Sequence, residues 1–203
     1  YWGFDNGRED YENMHNLVVD YCNYLDSGKV NEMAWFDHST SDRLCFFATL
    51  LRHPMYADFP QESRKLIERI VFLHVGKIRE FYDSKFWFNS NHGVFHALAI
   101  LNISQVKPFS LSDYGLARFG TLYLEISLEG ILSFQDFFTL EQSVYYHQLA
   151  INLLETIPPE MLRSTSLNVD VAKLVSEMIK INYWVTVDNQ QMVPLGDTAY
   201  GAN

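Results

Sequence analysis

A polar segment, Trp87-Phe88-Asn89-Ser90-Asn91-His92-Gly93, separates two apolar stretches that have helical periodicity. The amide of Asn91 could hold a carboxylate by hydrogen bonding, and His92 beside it can exchange a proton near neutral pH. Gly93 permits close approach of the backbone. The same residues would also suit a turn rich in asparagine that caps the next helix, with a histidine on the surface. The segment thus indicates either a helix cap or a site for an acidic ligand.

A second group of polar residues runs from Glu141 to His147. On a helix, Ser143, Tyr146 and His147 share one face, because steps of three and four residues return to the same side. Such side chains at the start of a helix could transfer protons to and from a substrate. In the alternative interpretation, Glu141 only complements the helix dipole and Tyr145 packs in the core.

A third group lies within Trp35-Phe36-Asp37-His38-Ser39-Thr40-Ser41-Asp42-Arg43. Residues 39–42 are candidate N-caps, so Asp37 and His38 are predicted to precede a helix and Arg43 to lie in its first turn. An arginine at a helix start opposes the dipole, which suggests a nearby anion. That anion could be Asp37 or Asp42, or a carboxylate of a ligand.

The elements that must position these residues are helical almost throughout. Apolar residues recur at spacings of three and four, and Pro and Gly residues fall between the periodic stretches. The ten residues 131–140 also fit a short strand. The sequence therefore predicts an all-α fold of antiparallel helix hairpins, stacked as a bundle, a solenoid or an α/α toroid. The predicted helices cover residues 10–25, 39–51, 60–81, 94–103, 111–130, 141–157 and 169–184.

Composition limits the classes of function. The 203 residues are 48% hydrophobic and 20% charged, which is typical of one folded domain with a buried core. The formal charge of −10 argues against a nucleic-acid partner, and it also disfavours a polyanionic substrate, because like charges repel. Apolar runs are too short for a membrane span, and there is no Gly-rich phosphate loop. Cys22 and Cys45 lack metal-binding spacing and are expected to be free thiols.

The three polar segments, taken in their order along the chain, resemble the N-terminal helical domain of the heparinase II/III-type polysaccharide lyases. This group includes alginate and oligo-alginate lyases. The similarity spans about residues 35–197. It is carried by Trp35-x-Asp37-His38-x-x-x-x-Arg43, Asn91-His92-Gly93, Glu141-x-Ser143-x-x-Tyr146-His147 and Pro194-Leu195-Gly196-Asp197.

The resemblance implies an incomplete α/α toroid over residues 1–195, with 196–203 beginning a linker to a C-terminal β-sandwich domain. It implies β-elimination in a polysaccharide that contains uronic acid, such as alginate, a heparan-type chain or a capsular or exopolysaccharide. The sugar C5 proton is removed and the C4–O bond breaks. Family members act in the periplasm or outside the cell. Because the family draws a further essential His or Tyr, and sometimes a metal, from the sandwich domain, this chain alone is expected to be inactive or nearly so.

The resemblance also assigns roles to individual residues. Asn91 would bind the substrate carboxylate, Tyr146 would act as catalytic acid and also as base, and His92 would serve as base or as a second neutraliser of the carboxylate. Tyr145 is the rival of Tyr146, since a shift of one residue exchanges them. Neither a cofactor nor a metal ligand is predicted in this chain. The further substrate-binding residues are His38, Arg43, Trp87, Glu141, Tyr145 and His147.

Two other classes of function stay open at this point. One is a non-catalytic glycan-binding or scaffold domain with the same toroid. The other is a glycoside hydrolase on a similar toroid, which needs two carboxylates, for which Asp136 and Glu141 are the candidates. Only a lyase forms an unsaturated product.

Overall fold

The computed structural model describes residues 8–109, 115–140, 143–158, 161–162, 165–167, 170–184, 186–187 and 191–192. Within these residues the fold is mostly helical, which confirms the all-α prediction. The predicted linker, 196–203, lies outside them. The helices are α1 (Arg8–Asp26), α2 (Asp37–Arg52), α3 (Gln61–Ser84), α4 (Asn91–Ser104), α5 (Leu116–Ile131), α6 (Val144–Thr156) and α7 (Val171–Trp184), with short 3-10 helices at Glu32–Trp35 and Pro54–Asp58.

Helix α2 begins at Asp37, so the prediction that Asp37 and His38 precede the helix is wrong. The hydroxyl groups expected to cap it lie inside the first turns instead. Thr40 Oγ1 donates to the Phe36 carbonyl at 2.9 Å, and Ser41 Oγ donates to the Asp37 carbonyl at 3.2 Å. Serine and threonine can bond backward in this way within a helix, which makes a run of them a weak marker of its start.

Helix α4 begins at Asn91, three residues earlier than predicted. Ser90 is the N-cap residue and has extended backbone angles (φ −145°, ψ 160°). Asn91, His92 and Gly93 therefore form the first helical turn, and the prediction that they lie in a loop is wrong. Their side chains have the fixed directions of a helix.

Two short hairpins interrupt the helical pattern. Strands β1 (Leu132–Ser133) and β2 (Phe138–Thr139) pair antiparallel, so the ambiguous segment after α5 contains strands. Strands β3 (Thr186–Val187) and β4 (Gln191–Met192) pair in the same way after α7 and were not predicted. Both hairpins are small beside the helices.

Helices α2 and α4 run parallel. Asp37 and His92 meet at their starts, and Arg52 Nη2 donates to the Asn102 carbonyl at 2.7 Å near their ends. Helix α3 connects the two and returns the chain to the end where α2 began. The starts of α2 and α4 therefore lie at one end of the domain, which we call the site end.

Helix α5 runs antiparallel to α4 and is in close contact with it. Near the site end Gly93 faces Ser127, and further along Gly120 faces Leu101. A Cβ atom on Gly120 would lie 2.8 Å from Leu101 Cγ, so glycine is needed for this spacing. Helix α5 consequently finishes at the site end, and α6 starts a short hairpin later.

The core is formed by apolar side chains from α1 to α7 together with residues of the connecting segments. Cys22 is buried and Cys45 half-buried, and both are free thiols, as predicted. Among fully buried side chains, the largest are Tyr123, Phe47, Phe109, Leu44, Ile67, Ile70, Ile78, Ile100, Ile103, Leu124, Ile131 and Ile151. Whether the hairpins close into a toroid stays a prediction.

Candidate functional site

Three polar side chains meet at the site end, which we call the Asp-His-His cluster: Asp37 and His38 from α2, and His92 from α4. The Asp37 carboxylate accepts a hydrogen bond from Nδ1 of His92 across 55 residues of sequence. The rings of His38 and His92 have centroids 4.1 Å apart. One donor atom from each of the three residues lies within 4.8 Å of the others.

Asp37 is a buried carboxylate, with only 2% of its side chain exposed. Burial alone would raise its pKa, but the hydrogen bond from His92, the nearby backbone N–H of His38 and the electrostatic influence of both imidazoles outweigh this effect. The pKa of Asp37 therefore lies below its ordinary value. As the first residue of α2, Asp37 also lies at the positive end of a helix dipole. The carboxylate is ionised at neutral pH.

An ionised carboxylate can only accept hydrogen bonds, so Nδ1 of His92 must carry the proton. In the neutral ring, Nε2 then has a free lone pair. Among the described residues Nε2 of His92 has no hydrogen-bond partner, and the side chain is 25% exposed. His92 is thus partly exposed and is suited to accept a proton from a ligand.

Aromatic rings surround the two histidines. The indole of Trp87 stacks on His92, with centroids 4.6 Å apart and planes inclined by 10°. Phe95 meets His38 edge-on at 5.1 Å, and Phe86, which is 74% exposed, meets Trp87 edge-on at 4.6 Å. Flat apolar rings beside a titratable group suit the apolar face of a sugar as well as they suit packing.

Two glycines fix the segment that carries Trp87. A Cβ atom on Gly93 would lie 2.6 Å from the Trp87 carbonyl oxygen, and one on Gly130 would lie 2.8 Å from Oδ1 of Asn89. Neither position has room for a side chain. The backbone of residues 87–89 therefore lies directly against α4 and α5.

Asn91 is the first residue of α4 and is 8% exposed. Its side-chain amide makes no hydrogen bond with the described residues, although it adjoins His92 in sequence. Amide groups that are nearly buried normally find partners. Asn91 thus has donor capacity available at the site end.

A neutral histidine lies beneath the cluster. His96 is fully buried, and its Nδ1 forms a 2.8 Å hydrogen bond with the Tyr123 hydroxyl. Burial lowers the pKa of His96 to about 4, more than the charge of Asp37 raises it. Phe81 stacks on the same ring at 5.0 Å. His96 is therefore uncharged at neutral pH and supports the packing beneath Trp87.

Arg43, predicted to bind substrate, points toward α3 and the 3-10 helix before α2. Its Nη2 donates to the Ala34 carbonyl and its Nε to His74 Nε2 at 3.3 Å. The guanidinium also lies 5.8 Å from the ring centroid of Tyr21. It lies in the second turn of α2, not the first as predicted, and the structure gives it partners within the fold.

The start of α6 carries the other predicted site residues. His147 is fully buried, and its Nε2 bonds to the Met178 carbonyl at 3.0 Å, while Phe138 stacks on its ring at 4.5 Å. Tyr146 is half-buried and Tyr145 is 44% exposed, so Tyr145 does not pack in the core as the alternative interpretation supposed. Glu141 lies outside the described residues.

The end of α6, with Leu153 and Pro158, borders a cavity of about 290 Å³ whose wall also includes Ser41 of α2 and Phe95 of α4. The start of α6 follows the hairpin at the site end. Among the described residues, no hydrogen bond or ring contact joins Tyr146 to Asn91 or to the Asp-His-His cluster. The proximity of Tyr146 and Asn91 stays a prediction.

The structure thus brings together His38, Trp87, Asn91 and His92 from two of the predicted motifs. The role of Asp37 as the partner of His92 was not predicted. The only signal in the sequence was the position of Asp37 beside His38 in the motif of residues 35–43. The pairing of Asp37 with His92 becomes visible only when α2 packs on α4.

No family model, curated protein or solved structure matches this chain. Among the residues that the structure describes, no helix combines the length and apolar character that crossing a bilayer requires.

Proposed function

We propose that this chain is the helical, substrate-binding domain of a polysaccharide lyase that cleaves a uronic-acid-containing chain by β-elimination. The observation that carries the proposal is the hydrogen bond between buried Asp37 and Nδ1 of partly exposed His92. A carboxylate that orients an imidazole in this way leaves Nε2 unprotonated and ready to act as a general base. Removal of the C5 proton of a uronate needs such a base.

Elimination also needs the C6 carboxylate to be neutralised, because negative charge builds on it as the C5–H bond breaks. Asn91 adjoins the base and has an amide without a partner among the described residues, so it can donate to that carboxylate. Tyr146 then protonates the leaving O4 as the C4–O bond breaks. Trp87 and Phe86 supply apolar surface for the sugar ring.

The proposal extends to the architecture. The alternating helices would form part of an α/α toroid, and a β-sandwich domain beyond residue 203 would cover the site end. The substrate class is an acidic polysaccharide. The net charge of −10 favours a carboxylated chain over a heavily sulfated one.

The test is an assay of the complete protein on uronic-acid polysaccharides, following the absorbance of the unsaturated product. His92→Gln should abolish its formation, because glutamine cannot accept the proton. Asp37→Asn should lower kcat by roughly a hundredfold or more, since the amide can hold the wrong tautomer of His92. His15→Gln, on α1 and bonded to Ser63 at 3.0 Å, is the matched control.

Two outcomes would replace the proposal. Polysaccharide binding with no bond cleavage would indicate a glycan-binding domain. New reducing ends without unsaturation would indicate a hydrolase, for which Asp136 is an exposed candidate that accepts a 2.9 Å hydrogen bond from Ser133.

A further inference from the structure

We propose that the Asp-His-His cluster binds a divalent transition-metal ion, with Zn²⁺ as the best match. The inference is independent of the proposed lyase activity, because it rests only on the positions of Asp37, His38 and His92. It also goes beyond the sequence, in which no metal site was predicted.

The first observation is geometric. The three candidate donor atoms lie within 4.8 Å of one another. Around a tetrahedral zinc ion, ligands at about 2.0–2.2 Å are separated from each other by roughly 3.4 Å. Small side-chain rotations would therefore bring the three donors to ligand distance, and the helical backbone that carries them need not move.

The second observation is independent of that spacing. Oδ1 of Asp37 is buried and has no hydrogen-bond partner in the described part of the chain. The side chain is only 2% exposed. A buried carboxylate oxygen without a partner is unfavourable unless a cation or a hydrogen-bond donor compensates it. A metal ion at the cluster would do so.

The donor set indicates the kind of metal. Two imidazole nitrogens and one carboxylate oxygen suit Zn²⁺ and neighbouring transition metals, whereas Ca²⁺ and Mg²⁺ prefer sites made of oxygen alone. Three protein ligands leave one tetrahedral position open for water or for a carboxylate. His92, at 25% side-chain exposure, provides access from solvent.

Metal binding and general-base action by His92 exclude each other. An ion on Nε2 occupies the lone pair that would accept a proton, and an ion on Nδ1 places the ring proton on Nε2. If the lyase proposal holds, Zn²⁺ should therefore inhibit elimination. Binding itself can be measured whether or not elimination occurs, so failure of one proposal is distinguishable from failure of the other.

The test is calorimetric titration of the chelator-treated chain with Zn²⁺. One ion per chain is expected, and His38→Ala and Asp37→Asn should each weaken binding by more than about tenfold. His15→Gln should leave the affinity unchanged. Titration with Co²⁺ should give visible d–d absorption without a thiolate charge-transfer band, which excludes Cys22 and Cys45 as ligands.

The proposal is overturned if no ion binds, if His38→Ala binds Zn²⁺ as tightly as the parent chain, or if thiolate absorption appears. Circular dichroism checks that each variant is folded. Should Asp37→Asn fail to fold, His38→Ala decides the question, because His38 is half-buried and its ring makes only aromatic contacts in the described structure.

Discussion

The indole of Trp87 lies almost parallel to the imidazole of His92, with centroids 4.6 Å apart and an interplanar angle of 10°. The stack covers one face of the imidazole, while Asp37 holds its Nδ1 edge. Two restraints of different kinds thus fix the ring, and a fixed base loses little orientational freedom when a substrate binds. In the proposed lyase, this preorganisation places Nε2.

Asn91→Ala should lower turnover more than it lowers substrate affinity. The amide is proposed to stabilise charge that grows toward the transition state, and removing one such donor typically reduces kcat by about 10²- to 10³-fold. Steady-state kcat and KM of the complete protein on a uronate polymer measure the effect. A variant with full kcat and raised KM would make Asn91 a residue that only positions the substrate.

Tyr146→Phe should abolish elimination, whereas Tyr145→Phe should be nearly silent. Neighbouring residues on a helix point about 100° apart, so only one of the two can face the site. The half-buried state of Tyr146 agrees with a side chain directed toward other helices, while Tyr145 is 44% exposed. Each substitution removes only a hydroxyl, so each variant serves as the other's control. Loss of product with Tyr145→Phe alone would reverse the assignment.

Gly130→Ala should destabilise the fold, because a Cβ atom at this position meets the Phe88 carbonyl and lies 2.8 Å from Oδ1 of Asn89. Overpacking of this kind costs about 1–3 kcal/mol. The free energy of unfolding, measured with urea, reports the loss. Gly76→Ala is the matched control, since nothing lies within 4 Å of its Cβ, and it should stabilise α3 by up to about 1 kcal/mol. Equal effects at the two glycines would contradict the close contact.

His96 should make stability depend on pH. Burial lowers the pKa of His96 from 6.5 to about 4, so the folded state binds fewer protons than the unfolded state between these values. Its contribution is complete above about pH 6.5 and is lost as the pH falls toward 4. Between pH 7 and pH 5 the loss amounts to about 2 kcal/mol.

The double variant His96→Phe/Tyr123→Phe removes this titration and both partners of the 2.8 Å hydrogen bond. Its free energy of unfolding should fall less than that of the parent between pH 7 and pH 5. His74, whose pKa burial also lowers to about 4, is present in both proteins and cancels in the comparison. An unchanged pH dependence would mean that folding does not shift the pKa of His96.

Helical periodicity was sufficient to predict the class of fold and the approximate positions of α1 to α7, but not the two short 3-10 helices. The starts of α2 and α4 were misplaced for one reason. Short polar residues such as Ser41 satisfy their hydroxyls within the helix, and Asn91 begins one, so the same residue types mark both caps and first turns.

The candidate site was predictable only in part. His38 and His92 stood out as titratable residues in polar motifs. The pairing of Asp37 with His92 depends on α2 lying parallel to α4, with the 24 residues of α3 between them. That arrangement follows from burial of several helix faces at once, which a local pattern does not encode.

The alternation of helix direction also determines where the domain can be altered. The connections after Arg52 and after Ser104 join helices at the end opposite to the site. With a rise of 1.5 Å per residue, the length of α4 puts them about 20 Å from His92. A peptide tag inserted at the exposed positions of those connections, away from the buried Phe59 and Phe109, would extend the chain without touching the Asp-His-His cluster. The domain is therefore suited to serve as a scaffold for fusion.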